Sequence, residues 1–154
     1  MYHYTECGLD NVWLSNGYQE KKTAYGKAVS ITQAAGLHKV LSEELIKKPA
    51  RLTGKEFRFL RVQLGLSQLA IGKAQGVSEQ NVSLWERHGK VPKANDQLMR
   101  VMYLLHASND KLLRESFDRI MTVERLVHQK IVAQSTARGW TPILLNDEPF
   151  AAAV

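Results

Sequence analysis

The sequence predicts a mainly α-helical chain with a small amount of β structure near its amino terminus. From about residue 32 onward, apolar residues recur at helical spacing. Between residues 51 and 107, Ser and Thr residues that can cap helices alternate with glycines that can end them. The first thirty residues are instead rich in Tyr, Trp, Val and turn formers. With 154 residues, 44% of them hydrophobic, the chain can form one ordinary domain or two small ones.

The amino-terminal segment, residues 1–50, is predicted to contain short strands and one helix. Three stretches have strand composition: residues 2–5, 12–14 and 28–31. The dipeptide Asn16-Gly17 is typical of a tight turn. A helix is predicted over residues 32–47, ended by Pro49. Because so short a segment buries little apolar surface alone, we expect it to pack on the following helices or on a second copy of itself.

The central segment, residues 51–107, is predicted to form four compact helices. The first begins at Thr53, which has capping-box spacing to Glu56. The next two are expected to start at serine caps and to stop at glycines, from Ser67 to Gly76 and from Ser78 to Gly89. A fourth helix follows Pro92 and ends near Ser108.

The carboxy-terminal segment, residues 108–154, is predicted to begin with a long amphipathic helix over residues 109–134. One face of this helix is apolar: Leu112, Leu113, Phe117, Ile120, Val123, Leu126, Val127 and Ile131. That face suits either the core of one chain or the seam of a dimer, and the sequence leaves both alternatives open. Residues 140–145 have the composition of an edge strand or a docking tail.

Residues 66–86 carry a recognisable motif, Leu-Ser-Gln-Leu-Ala-Ile-Gly-Lys-Ala-Gln-Gly-Val-Ser-Glu-Gln-Asn-Val-Ser-Leu-Trp-Glu. Small Ala70 suits a close helix crossing, Gly76 suits a turn, and the apolar positions that would fill the core are Val77, Val82 and Trp85. This pattern resembles the helix-turn-helix of the lambda repressor and Cro (Xre) family. The resemblance covers residues 51–107 and implies a lambda-repressor-like helical bundle that reads double-stranded DNA.

The resemblance and the chemistry of the side chains together give two sets of candidate DNA contacts. Base edges in the major groove are expected to be read by Glu79, Gln80, Ser83 and Leu84. Phosphates are expected to be bound, or the protein positioned on them, by Gln68, Asn81, Arg87, His88, Lys90 and Lys93. The family pattern further implies a structural ion pair between Arg61 and Glu86, so Arg61 is not counted among the DNA contacts.

The charge distribution agrees with a polyanionic partner. Of the net charge of +6, most lies in residues 51–107, which carry nine Lys and Arg against four Asp and Glu. The single cysteine, Cys7, cannot form an intramolecular disulfide, and the five histidines show no ligand spacing. We therefore expect no metal, no cofactor and no enzymatic reaction. The amino terminus lacks the pattern of a secretion signal, so the cytoplasm is the expected compartment.

The sequence thus favours a transcriptional regulator, a repressor that binds a pseudo-palindromic operator as a homodimer. The alternative is an antitoxin-like protein that neutralises a partner toxin through a flanking segment and represses its own operon. Residues 4–9 resemble the start of antitoxins with an amino-terminal zinc domain, but the metal-binding cysteines are missing. A helical packing module that binds no DNA is the third interpretation.

Overall fold

The computed structural model describes residues 1–123 and 130–143. Within these residues the chain is mainly helical with three small antiparallel strand pairs, which confirms the predicted class. The elements in chain order are β1 (Tyr2–His3), β2 (Trp13–Leu14), β3 (Tyr18–Thr23), β4 (Gly26–Ile31), α1 (Ala34–Lys47), α2 (Gly54–Gln63), α3 (Gln68–Gln75), α4 (Glu79–His88), α5 (Lys93–Ala107), α6 (Lys111–Thr122), β5 (Val132–Thr136) and β6 (Gly139–Ile143). They fall into two compact units, Met1–Thr122 and Val123–Val154.

The strands of the amino-terminal segment form two separate pairs. Strand β1 pairs with β2, and β3 pairs with β4 in a hairpin whose two strands have six residues each. The predicted strand at residues 28–31 begins earlier, at Gly26, and its partner β3 was not predicted because its sequence is mostly polar and charged. The Asn16-Gly17 dipeptide lies between β2 and β3. These two strands do not pair with each other, so the dipeptide is not the turn of a hairpin.

The amino-terminal segment packs on the helices that follow it. Its buried apolar side chains belong to the same hydrophobic core as those of α2, α4 and α5: Tyr4, Leu9, Val12, Leu14 and Leu45. The central residues of this core are fully shielded from solvent: Phe57, Leu60, Ile71, Val82, Val91, Met99 and Met102. The expected packing of this segment on the following helices is therefore present within one chain.

Local capping explains where the central helices begin. The Thr53 hydroxyl accepts from the backbone N–H of Glu56, and the Glu56 carboxylate accepts from that of Thr53, which completes the predicted capping box. Ser67 and Ser78 cap α3 and α4 with one hydrogen bond each, in which the serine hydroxyl accepts from a backbone N–H. Gly76, with φ of 71°, ends α3 in the left-handed conformation, which residues other than glycine rarely adopt.

The prediction of a helix over residues 109–134 is wrong about the length of that helix. Helix α6 ends at Thr122, whose hydroxyl donates to carbonyl oxygens of the last turn, and residues 132–136 form strand β5 instead. The β-branched residues Ile131, Val132 and Thr136 favour a strand, and the pairing of β5 with β6 overrides the helical spacing. Two of the eight apolar residues assigned to this face, Leu126 and Val127, lie outside the described residues.

The predicted apolar face is also only partly buried. Phe117 packs into the core against His106, with ring centroids 5.1 Å apart. By contrast, Leu112 and Val123 are each 70% exposed, and Ile131 is 87% exposed.

Strand β6 matches the edge strand expected near Trp140. Among the described helices, none combines the length and apolar character that crossing a membrane requires.

Helices α2 and α4 approach each other closely at Gly54. A methyl group at this position would lie 2.5 Å from the carbonyl oxygen of Glu86 and would also collide with that of Trp85. Both obstacles are backbone atoms, which cannot rotate away. Only glycine therefore allows the start of α2 to rest against the end of α4.

Two glycine substitutions test this close approach. We expect Gly54→Ala to lower the free energy of unfolding by about 1–3 kcal/mol or more, because the added methyl overpacks the boundary between the helices. The matched control is Gly36→Ala in α1, where no atom lies within 4 Å of the added methyl. That change should stabilise the protein by about 0.5–1 kcal/mol. Urea unfolding measures both values, and similar effects of the two changes would contradict the close approach.

Candidate nucleic-acid interface

Helices α3 and α4 are joined by the three residues that follow Gln75. The Val77 N–H donates to the Gly72 carbonyl oxygen at 2.8 Å, which closes the end of α3. The next residue, Ser78, caps α4. A methyl group on Gly72 would lie 2.8 Å from the carbonyl oxygen of Val77, so α3 and this turn are in close contact. The turn thereby fixes the direction in which α4 leaves α3.

Helix α4 has one buried and one exposed face. Val82 is fully buried, and Trp85 packs edge-on against Phe57 with ring centroids 5.9 Å apart. On the opposite side, Leu84 is 44% exposed although its side chain is apolar. The helical period therefore separates the positions that hold α4 in the core from those that a partner can contact.

A buried ion pair holds this helix against its neighbours. The Nε of Arg61 lies 2.5 Å from Oε1 of Glu86, and a second guanidinium nitrogen lies 3.2 Å from Oε2. The side chains are only 11% and 4% exposed. Gln68 donates to the same carboxylate at 2.6 Å, and Arg61 also donates to the carbonyl oxygen of Leu66 at 2.9 Å. One carboxylate thus connects α2, α3 and α4.

Six of the predicted contact residues share one shallow depression on the exposed side of α4: Gln68, Glu79, Gln80, Ser83, Leu84 and Arg87. They comprise all four residues expected to read bases and two of those expected to bind phosphates. The Gln68 amide uses one N–H on Glu86, which leaves its second N–H for a phosphate oxygen. Arg87 is exposed, and its Nε donates only weakly, at 3.4 Å, to the carbonyl oxygen of Ser83.

The remaining predicted phosphate contacts lie elsewhere. Asn81 is exposed but does not line the depression. His88 lies in a different depression, beside Asp10 and Lys55. Lys93 lines a third, next to residues 49–51 of the connection between α1 and α2. Lys90 is exposed in the turn after α4 and lines none of these three depressions.

Sequence reasoning missed one cation close to this surface, Arg58 of α2. A broad groove next to the α4 depression contains Arg58 together with Gln68, Ser83 and Arg87. Lys55 lines the same groove, but its ammonium group is bound by the Asp10 carboxylate at 2.8 and 2.9 Å. The only sequence signal for Arg58 was its place on the polar face of α2, and α4 reaches that face only through tertiary packing.

No metal site is formed by the described residues, because no three His, Cys, Asp or Glu side chains lie close enough together to hold an ion. Comparison with family models, curated proteins and solved structures found no match for this chain. Any conclusion on function therefore depends on the geometry of the chain itself.

The buried ion pair gives a direct stability prediction. Arg61→Ala should cost about 3–5 kcal/mol of unfolding free energy, because Glu86 then stays buried with its charge uncompensated. Replacing both partners with apolar residues, Arg61→Met with Glu86→Leu, should cost less than the single change. The control is Lys111→Ala, which removes an exposed pair with Glu115 at 3.7 Å and should cost under about 0.5 kcal/mol. Equal costs for Arg61→Ala and the control would contradict the role of the pair.

Proposed function

We propose that this chain is a sequence-specific DNA-binding regulator of the lambda repressor and Cro type, in which α3 and α4 form the helix-turn-helix. The observation that carries the proposal is the exposed face of α4. It presents an amide, a carboxylate, a hydroxyl and an apolar group in one depression. These are the groups that distinguish base pairs in the major groove, which is about 12 Å wide and admits one helix.

The rigidity of the surface supports the same proposal. Base readout requires that side chains be positioned to within about 0.5 Å. The helix that carries them must therefore not shift against the rest of the domain. The Glu86 carboxylate lies behind the exposed face and binds both Arg61 and Gln68. Gln68 also begins α3, whose first backbone N–H groups favour a phosphate oxygen.

The charges near this surface complete the argument. Arg87 lines the depression, Arg58 lies in the groove next to it, and the central segment carries most of the net positive charge. Cations beside a polar helix face are typical of phosphate contacts that position a protein on duplex DNA. Because one helix covers only a few base pairs, we infer that the protein is a homodimer. Its two copies of α4 would then lie about 34–36 Å apart on a pseudo-palindromic operator, where binding represses transcription.

The proposal is tested by fluorescence anisotropy with the duplex upstream of the protein's own coding sequence and with scrambled controls. We expect salt-sensitive binding that favours the upstream duplex by at least about 10³. Equal affinity for all duplexes would contradict a sequence-specific regulator. A small toxin that copurifies with the protein would instead favour the antitoxin alternative.

Two substitutions separate base readout from phosphate binding. Gln80→Ala should cost about 1–3 kcal/mol of binding free energy and relax the preference at one base pair. Lys90→Ala should weaken specific and random duplexes alike and lower the slope of log affinity against log salt by about 1. Titrations over several salt concentrations measure both effects. The assignment fails if Gln80→Ala also weakens every duplex to the same extent.

A further inference from the structure

The β3–β4 hairpin extends from the amino-terminal segment into solvent. Every residue from 19 to 28 is exposed, and Tyr25 at the tip is fully so. The partly buried residues lie at or towards the base: Tyr18, Val29 and Ile31. With strands of six residues, at about 3.3 Å each, the hairpin reaches roughly 20 Å.

The outer half of this hairpin is cationic. It carries Lys21, Lys22 and Lys27, and the single acidic residue of the hairpin, Glu20, lies nearer the base. The register places Lys22 directly opposite Lys27. Like charges at opposed positions destabilise a strand pair. In the part of the chain that the structure describes, no carboxylate forms an ion pair with any of these three lysines, so their charge is available to an external anion.

The geometry of the tip does not require the lysines. The Thr23 hydroxyl donates to the Gly26 carbonyl oxygen at 2.7 Å and accepts from the Tyr25 N–H at 3.3 Å. Both bonds recur at the tip of the β5–β6 hairpin, with Thr136 in place of Thr23 and Gly139 in place of Gly26. The two tips share the sequence Thr-Ala-X-Gly.

The second hairpin is therefore an internal comparison for the first. Strands β5 and β6 contain no lysine, and Arg138 in the turn is the only charged residue between Val132 and Ile143. The same kind of hairpin thus forms without a lysine cluster. Because the cluster lowers the stability of β3–β4 and is not needed for its turn, it points to a ligand.

A chain of contacts links the base of the hairpin to the broad groove next to the α4 depression. The ring of Tyr2 stacks on Tyr18 with centroids 5.1 Å apart, and its hydroxyl donates to the Glu6 carboxylate. This hydrogen bond raises the pKa of Tyr2 to about 12 and lowers the pKa of Glu6. Glu6 in turn lines the groove that holds Arg58 and Arg87. The base of the hairpin is therefore connected, through Tyr2 and Glu6, to the groove next to the α4 depression.

We propose that Lys21, Lys22 and Lys27 bind phosphates of the DNA duplex next to the base pairs read by α4. This inference rests on the proposed function and adds a second contact element to it. The occupant is the duplex backbone, because three mobile ammonium groups on an exposed hairpin match a row of phosphates and carry no base-reading geometry. The hairpin adds affinity for all sequences and does not change the order of preference.

The test compares two triple variants with the same change in net charge. The hairpin variant carries Lys21→Ala, Lys22→Ala and Lys27→Ala. The control variant changes the exposed helix lysines Lys39, Lys47 and Lys111 to Ala. At about 150 mM salt, we expect the hairpin variant to bind upstream and scrambled duplexes alike with roughly 10- to 100-fold lower affinity. The slope of log affinity against log salt should fall by about 0.9 for each phosphate that the hairpin no longer neutralises.

Each outcome separates the inference from the function on which it rests. Equal affinities of the two triple variants would overturn phosphate binding by the hairpin, whatever the sequence preference of the wild-type protein. If the wild type binds all duplexes alike and the hairpin variant is still weaker than the control, sequence-specific function fails and phosphate binding by the hairpin stands. Absence of binding to every duplex would overturn both.

Discussion

One buried carboxylate, that of Glu86, connects α4 to both of the helices packed beside it. It accepts two hydrogen bonds from Arg61 and one from Gln68, which belong to different helices. Such a group is stable in the interior only when its charge is compensated and its oxygens are hydrogen-bonded. The positions of α2, α3 and α4 are therefore coupled, and the exposed face of α4 takes its orientation from an ion pair on the reverse side of the same helix.

A second polar cluster does the same for the amino-terminal segment. Asp96 accepts from the Leu52 N–H at 2.5 Å and binds Arg100, whose guanidinium also donates to the carbonyl oxygens of Lys48 and Ala50. The end of α1 and the chain leading to α2 are thereby attached to α5. The same segment also contributes side chains to the hydrophobic core, among them Tyr4 and Leu9.

Local signals made the central helices predictable, and long-range pairing made the strands difficult to predict. The capping box of Thr53 and the serine cap of α4 involve residues three positions apart, so the sequence alone contains them. Strand β3 has no apolar alternation, because its outer half has solvent on both faces. It forms a strand because it pairs with β4 along its whole length. The helical spacing that continued beyond Thr122 did not show that residues 132–136 would pair with β6.

The residues of the candidate interface show the same difference between local and long-range signals. Within α4, the helical period alone brings Gln80, Ser83 and Leu84 to one side, and the structure groups them. Beyond Gly89 the chain turns, so Lys93 follows closely in sequence and yet lines a separate depression. Arg58 is distant in sequence and borders the groove, because the close approach at Gly54 brings α2 against α4. Cations beside the exposed face of α4 can thus be predicted from the sequence where they belong to α4 itself, whereas those on other helices depend on tertiary packing.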